Sequence, residues 1–279
     1  MARYGIIIDV NKCNGCYNCF LSCRDEYAGN DYPPYSGAQP VKGQYWMRIR
    51  EKERGTYPKV KVSYIPTPCM HCETAPCMEA AKDNAVFRRD DGIVLIDPEK
   101  AKGQDAIVVA CPYRVIYWNA DKQIPQKCTM CAHRLDEGEK MPRCVESCPT
   151  GALIFGDFDD PASEIAKGVA EFDTEYLHPE FNTRPLVKYV GLPQCFIAGE
   201  VILKDQQGEC AQDVAVLLEG DGRTVEIASD TFGDFEFKGL KADTRYRVVV
   251  KKTGYVDQEI VVTLKKDMNL GEVLLDPVL

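Results

Sequence analysis

Four cysteines near the start of the chain, Cys13, Cys16, Cys19 and Cys23, stand at C-x2-C-x2-C-x3-C, a spacing that leaves little choice of what the segment folds around. Gaps of two residues let three sulfurs converge on one face while the loop's backbone N–H groups turn inward. That arrangement suits a cube of iron and sulfide, and a zinc tetrahedron does not need it. In such runs three thiolates hold one 4Fe–4S cluster and the fourth reaches a different one. The chain has 14 cysteines in 279 residues, twelve of them before residue 150, in an otherwise ordinary globular composition of 45% hydrophobic and 28% charged residues. No export signal is visible in residues 1–9. Disulfides belong to oxidising compartments, so metal ligation and a cytoplasmic location are the expectation.

Cys128, Cys131, Cys144 and Cys148, with Pro149 behind, give C-x2-C-x12-C-x3-C-P, the same run with ten residues added between its second and third cysteines. Crossed ligation assigns Cys13, Cys16, Cys19 and Cys148 to one 4Fe–4S cluster, and Cys128, Cys131, Cys144 and Cys23 to a second. Between these runs lies a depleted pair. Cys69, Cys72 and Cys77 keep three ligands, but the position four beyond Cys77 is Ala81, and counting back from Cys111-Pro112 reaches Ile107, Gln104 and Ala101. The missing thiolates are the ones that crossing would assign to a single cluster, and Cys69, Cys72, Cys77 and Cys111 remain as a complete set. Three clusters are therefore expected, because a random loss would rarely leave every survivor in a full quartet.

Cys195 and Cys210 lie outside any ligand spacing and read as ordinary thiols. His71 and His133, beside ligand cysteines, admit two readings, tuning of a cluster or plain packing, and neither reads as catalytic. Lys127, Arg134 and Arg143 either offset cluster charge or are solvated. The net charge of −9 argues against nucleic acid as a partner, and no apolar run approaches the ~18 residues of a membrane helix.

A boundary falls near residue 190. Before it, residues 46–50 and 60–64 alternate as a hairpin, residues 86–87 and 93–96 flank the turn Asp90-Asp91-Gly92, residues 31–43 form a loop and residues 162–172 a helix. After it come about seven short strands, near 195–203, 214–219, 223–229, 234–237, 245–251, 257–264 and 270–275, and six of the nine net negative charges.

With these four motifs in this order, residues 1 to about 190 resemble the iron–sulfur subunits of the dimethyl sulfoxide reductase family of molybdenum and tungsten enzymes. The resemblance implies an α+β fold of two ferredoxin-like cluster-binding modules, one inserted in the other. The outer module is expected from 1–65 with 120–160, the inserted one over 66–119, and a strap over 161–190. It also implies a large partner subunit that holds bis(molybdopterin guanine dinucleotide) with molybdenum or tungsten and transforms the substrate. This chain is then the non-catalytic, electron-transferring half of a heterodimer or higher oligomer. Three clusters, no export signal and a C-terminal β domain are most similar to members that transfer hydroxyl groups between polyhydroxybenzenes, pyrogallol to phloroglucinol. Net-redox relatives such as a resorcinol hydroxylase or catechol dehydroxylase, a respiratory molybdoenzyme, and a stand-alone polyferredoxin are the competing expectations. Gly199-Glu200-Val201, the run Thr231-Phe232-Gly233-Asp234-Phe235-Glu236-Phe237 and Gly254-Tyr255 make residues 195–279 similar to transthyretin-like or carboxypeptidase-regulatory-like domains, implying a seven-stranded all-β sandwich or barrel.

Overall fold

The computed structural model describes residues 2–206 and 209–278, and the chain divides into two compact units, 1–52 with 63–192 and 53–62 with 193–279. In chain order the first begins with β1 (Tyr4–Asp9), α1 (Asn18–Tyr27) and the hairpin β2 (Arg48–Thr56) and β3 (Lys59–Thr67). Next come α2 (Pro76–Glu79), the hairpin β4 (Val86–Arg88) and β5 (Val94–Ile96), α3 (Ala106–Val109), and the hairpin β6 (Tyr117–Asn119) and β7 (Ile124–Gln126). It closes with α4 (Ala132–Asp136), α5 (Arg143–Glu146), β8 (Leu153–Asp157), α6 (Glu164–Glu171) and β9 (Val187–Val190).

The uninterrupted run Ile6-Ile7-Ile8 makes β1 a strand buried on both faces, and it is central in its sheet, antiparallel to β8 and parallel to β9. Ile6 and Ile8 face the main core, which also takes in Cys19, Cys23, Cys69, Cys131 and Cys144. Ile7 points the other way, against Gly168 of α6, whose first turn is capped by the Ser163 hydroxyl accepting from the Ala166 N–H at 3.2 Å. The expected strap over 161–190 is thus not an overlay, because its end supplies a strand of the central sheet. Parallel pairing across so long a separation leaves no local trace in sequence. A satellite core gathers Cys77, Val86, Val94, Ile96, Ile107 and Ile116 around α2, α3 and the β4–β5 hairpin. Among the described residues no helix is long and apolar enough to cross a membrane.

The second unit continues with β10 (Cys195–Leu203), β11 (Glu209–Cys210), β12 (Ala215–Gly220), β13 (Arg223–Ala228), β14 (Asp234–Leu240), β15 (Thr244–Lys251), β16 (Gln258–Leu264) and β17 (Met268–Leu275). They form two sheets, one ordered β13-β12-β15-β16, the other with β10 joined to β11, β14 and β17. Alternating residues of both, among them Val201, Val216, Leu218, Phe237, Val248 and Val273, bury one shared core, so this unit is a sandwich. Phe235 lies opposite Gly199, and a Cβ at Gly199 would come within 2.6 Å of the Phe235 ring, so the aromatic fills the space a side chain would take. Among the described residues the two-residue β11 brings the strands of this unit to eight where seven were expected.

A single cut near 190 misses one feature. The far part of the β2–β3 hairpin, residues 53–62, belongs to the second unit. There Lys59 pairs with Asp234 and Lys61 with Glu236, Arg54 Nη1 meets Asp267 Oδ1 at 3.0 Å, and the Lys61 ammonium lies 4.9 Å from the centre of the Phe196 ring.

Candidate metal centres

The pairing of β1 with β8 sets the first group of thiols. In that antiparallel register Ile8 faces Leu153, so Cys13, five residues beyond Ile8, and Cys148, five residues before Leu153, leave the sheet at the same end. Cys16 precedes α1 and Cys19 lies on it, while Gly15 and Tyr17 take left-handed φ of 72° and 63° to bend the loop. The Tyr64 ring lies 2.6 Å from where a Gly15 Cβ would stand, so this loop is closed over by a ring that only glycine admits. Burial pushes the Cys19 thiol up to about 12, and its charged neighbours are Cys13, Cys148 and Cys16. Cys148 behaves differently. Burial pushes its thiol up, but the Thr150 hydroxyl and the N–H groups of Leu153, Ala152 and Thr150 outweigh that and hold it below the usual cysteine value.

α1 also starts the second group. Cys19, Cys23 and Tyr27 recur every four residues and are buried on one face of α1. α1 packs against α5, where the Ser22 and Ser147 hydroxyls meet at 2.7 Å, so Cys23 and Cys144 of α5 face a common space. Cys128 and Cys131 complete it from the turn after β7, in which Met130 and Cys131 take φ of 54° and 51° and the Met130 N–H donates to Cys128 Sγ at 3.3 Å. Burial raises the Cys144 thiol well above its ordinary value, with Cys131, Cys128 and Cys23 adding to the rise.

The third group follows the same plan. His71 takes φ of 45°, and its N–H donates to Cys69 Sγ at 3.5 Å. Cys77 lies on α2, and Cys111 follows α3 with the N–H groups of Val115, Tyr113 and Arg114 turned on its sulfur. Burial pushes Cys72 up to about 12, with Cys69, Cys111 and Cys77 as charged neighbours. The positions where a further set of thiols would stand are filled otherwise. Ala101 and Ile107 are fully buried in the satellite core, Ala81 packs on it, and the Gln104 side chain bridges Lys82 and Lys100.

By these contacts the twelve expected ligands lie in three neighbourhoods that adjoin, since Cys19 also acts on Cys144 and Cys69 on Cys128. Among the described residues no three His, Cys, Asp or Glu side chains gather as a single metal ion requires. Two features suit a sulfide-bearing cluster. Backbone N–H groups meet sulfur in every quartet, at Cys13, Cys19, Cys23, Cys69, Cys111, Cys128, Cys131 and Cys148. Beside Cys69 and Cys72, His71 is wholly buried, its Nδ1 accepts from the Val94 N–H at 3.1 Å, and its Nε2 has no partner in the protein. That nitrogen carries the proton of the neutral ring and lacks an acceptor in the protein, which a bound cluster's sulfur would supply. Burial, with Lys127 and Arg88 adding to it, keeps His71 well below the usual histidine value and so neutral.

The remaining candidates sort themselves by partner. His133 stacks on Tyr32 with ring centres 3.9 Å apart, and its Nε2 meets Glu26 Oε1 at 2.9 Å, so packing and a carboxylate occupy it. Arg134 is paired with Glu26 and Glu146, and Arg143 with Glu146. Lys127 is buried, and among the described residues no carboxylate pairs with it. Cys195 and Cys210 belong to the second unit, where the Cys210 thiol donates to Glu200 Oε1 at 3.1 Å. Sequence reasoning missed Tyr27. Its oxygen lies 2.7 Å from Thr129 Oγ1 and its hydroxyl donates to the Cys131 sulfur. The four-residue recurrence from Cys19 through Cys23 was the available signal.

The family model for a 4Fe-4S dicluster domain matches residues 60–158. The pyrogallol hydroxytransferase small subunit of Pelobacter acidigallici is 41% identical over 278 residues, covering 97% of this chain and 98% of that one. A putative dimethyl sulfoxide reductase iron-sulfur subunit of Halobacterium salinarum is 37% identical over 68% of this chain and 79% of its own length. A tetrathionate reductase subunit of Salmonella typhimurium is 37% identical over 70% and 75% respectively.

Proposed function

Because the chain belongs to the iron–sulfur subunits of the dimethyl sulfoxide reductase family of molybdoenzymes, we propose that it carries three 4Fe–4S clusters and exchanges electrons with a large catalytic partner. The ligand sets are Cys13, Cys16, Cys19 and Cys148; Cys128, Cys131, Cys144 and Cys23; and Cys69, Cys72, Cys77 and Cys111. Bound clusters of this kind take up and release single electrons. The chain's own residues supply thiolate ligands, direct N–H groups at the sulfurs and exclude water by burial. The partner holds bis(molybdopterin guanine dinucleotide) with molybdenum or tungsten, and the substrate.

The reaction we assign to the pair is hydroxyl transfer between polyhydroxybenzenes, converting pyrogallol to phloroglucinol. It involves no net oxidation, so the clusters set the redox state of the partner's metal instead of conducting a steady current. One observation carries this choice within the family. The match to the pyrogallol hydroxytransferase small subunit runs through the β sandwich to cover 97% of the chain, whereas the relative named for dimethyl sulfoxide reductase matches 68%.

The test is anaerobic purification of the native complex, with iron, acid-labile sulfide and molybdenum or tungsten measured per copy of this chain and subunits identified by mass. About twelve irons, one molybdenum or tungsten and a large subunit are expected. Turnover of pyrogallol without a continuous electron donor then supports hydroxyl transfer. Dependence on a stoichiometric donor overturns that reaction in favour of a net reduction.

A further inference from the structure

We propose that Lys127 is a fixed cation shared by the second and third quartets, and that it raises the reduction potentials of both of the clusters they hold. The inference rests on the ligand sets assigned above. Lys127 follows β7 and is only 3% exposed. Its ammonium donates to the Val94 carbonyl and, at 3.2 Å, to the Cys128 carbonyl. Among the described residues no carboxylate lies within ion-pair distance of it, in contrast to Arg134 and Arg143. Nor does bulk water reach it. The cavity it lines with Tyr35, Ser36 and Thr129 measures about 10 Å³, room for one water at most.

A buried ammonium held by carbonyls alone is costly unless a counter-charge lies near. The anions within its reach are cluster ligands. Cys128, whose carbonyl it holds, is a ligand of the second quartet. Val94, whose carbonyl it also holds, donates its N–H to His71 Nδ1 at 3.1 Å, and His71 lies between Cys69 and Cys72 of the third quartet. Lys127 therefore stands where the two quartets adjoin. A cube ligated by four thiolates is anionic and gains one further negative charge on reduction, so a fixed positive charge favours the reduced form. Acting on both neighbours, it raises them together and leaves the step between them level. One electron leaves one cube as it enters the other.

The experiment uses the assembled complex bearing Lys127→Met, with Lys127→Arg beside it. Iron and sulfide per chain are counted first, and potentials are then read by redox titration followed by electron paramagnetic resonance. At full iron content, Lys127→Met is expected to shift the reduction equilibria of the second and third clusters at least tenfold toward the oxidised form, about 59 mV for a one-electron couple. The first cluster stays in place and Lys127→Arg restores the other two. Unchanged potentials, or movement of one cluster alone, overturn the proposal. If the Met variant loses iron, Lys127→Gln repeats the comparison. Should both neutral variants lose iron, loss of the second and third clusters with the first retained supports the shared cation, and any other pattern overturns it. A wild-type complex with fewer than three clusters brings down the ligand assignment instead.

Discussion

Replacing Cys111 by Ser tests the grouping of thiols most directly. Cys111 reaches its quartet alone, from the turn after α3, whereas Cys69, Cys72 and Cys77 come from one short stretch of chain. Without it three thiolates remain, and a cube with an open corner is lost in oxygen or chelator. Iron should fall from about twelve to about eight per chain, with acid-labile sulfide falling in the same proportion. The structural effect should be equally local. The satellite core around Cys77 buries nine of the described residues, three of them alanines, and joins the main core only through the same quartet, with Cys69 in the main core and Cys72 and Cys111 packed against both. A core that small depends on its metal, since structural metal sites supply on the order of 10 kcal/mol of folding free energy. Limited proteolysis should therefore cut between residues 72 and 116 in the variant while the β1–β8–β9 sheet stays protected. Iron and sulfide analysis, paramagnetic resonance of the reduced protein and mass mapping of the cuts provide the readouts. Loss of about eight irons, disappearance of the first cluster's signal, or unaltered iron would refute the reasoning.

Further outcomes follow from other contacts. Tyr27→Phe removes the hydroxyl that donates to the Cys131 sulfur, so the second cluster's potential should fall at full iron content while unfolding costs about 1 kcal/mol less; an unmoved potential would show the hydroxyl is only packing. In the β unit, Asp267→Ala leaves Arg54 unpaired where the two side chains are 12% and 9% exposed, and should destabilise by about 3 kcal/mol in denaturant melts. Asp257→Ala, in a pair 54% exposed on both sides, should cost less than about 1 kcal/mol, and equal effects would contradict the burial argument. After iron is stripped, Cys148, held below the usual thiol value, should be alkylated at pH 8 on the order of 1,000-fold faster than Cys19 or Cys128, both pushed up to about 12. Peptide mass spectrometry over time gives the order, and the gap should narrow as pH rises, because thiolate is then no longer scarce at the raised sites.

The cysteine pattern was legible because ligand spacing is a local property, and so were the turn at Asp90-Asp91-Gly92 and the alternating strands of the sandwich. What escaped the sequence depends on distant partners. Alternation in residues 48–67 marks a hairpin, but nothing in it says that Lys59 and Lys61 will meet Asp234 and Glu236. Val187–Val190 carries no sign that it will lie parallel to β1. In sequence Lys127, Arg134 and Arg143 read alike, as offsets to cluster charge or as solvated residues, and only burial separates Lys127 from the two arginines, which find carboxylates. Burial of a single charged residue is a tertiary property with no period to betray it.

The place of β1 in the central sheet bears on how the protein is made. It is synthesised before both of its partners, which end at Asp157 and Val190. At roughly 5–20 residues per second, Cys13 waits roughly 7–27 s for Cys148 to be translated, and the crossed partner of Cys23 comes no sooner than Cys128. Cys69 and Cys111 are separated by only roughly 2–8 s of synthesis. The nascent chain therefore completes its middle set of proposed ligands first, at Cys111, and the other two close together, at Cys144 and Cys148. An iron donor that acts during translation meets one finished site, and the other two become available only when the chain's earliest strand finds its latest neighbours.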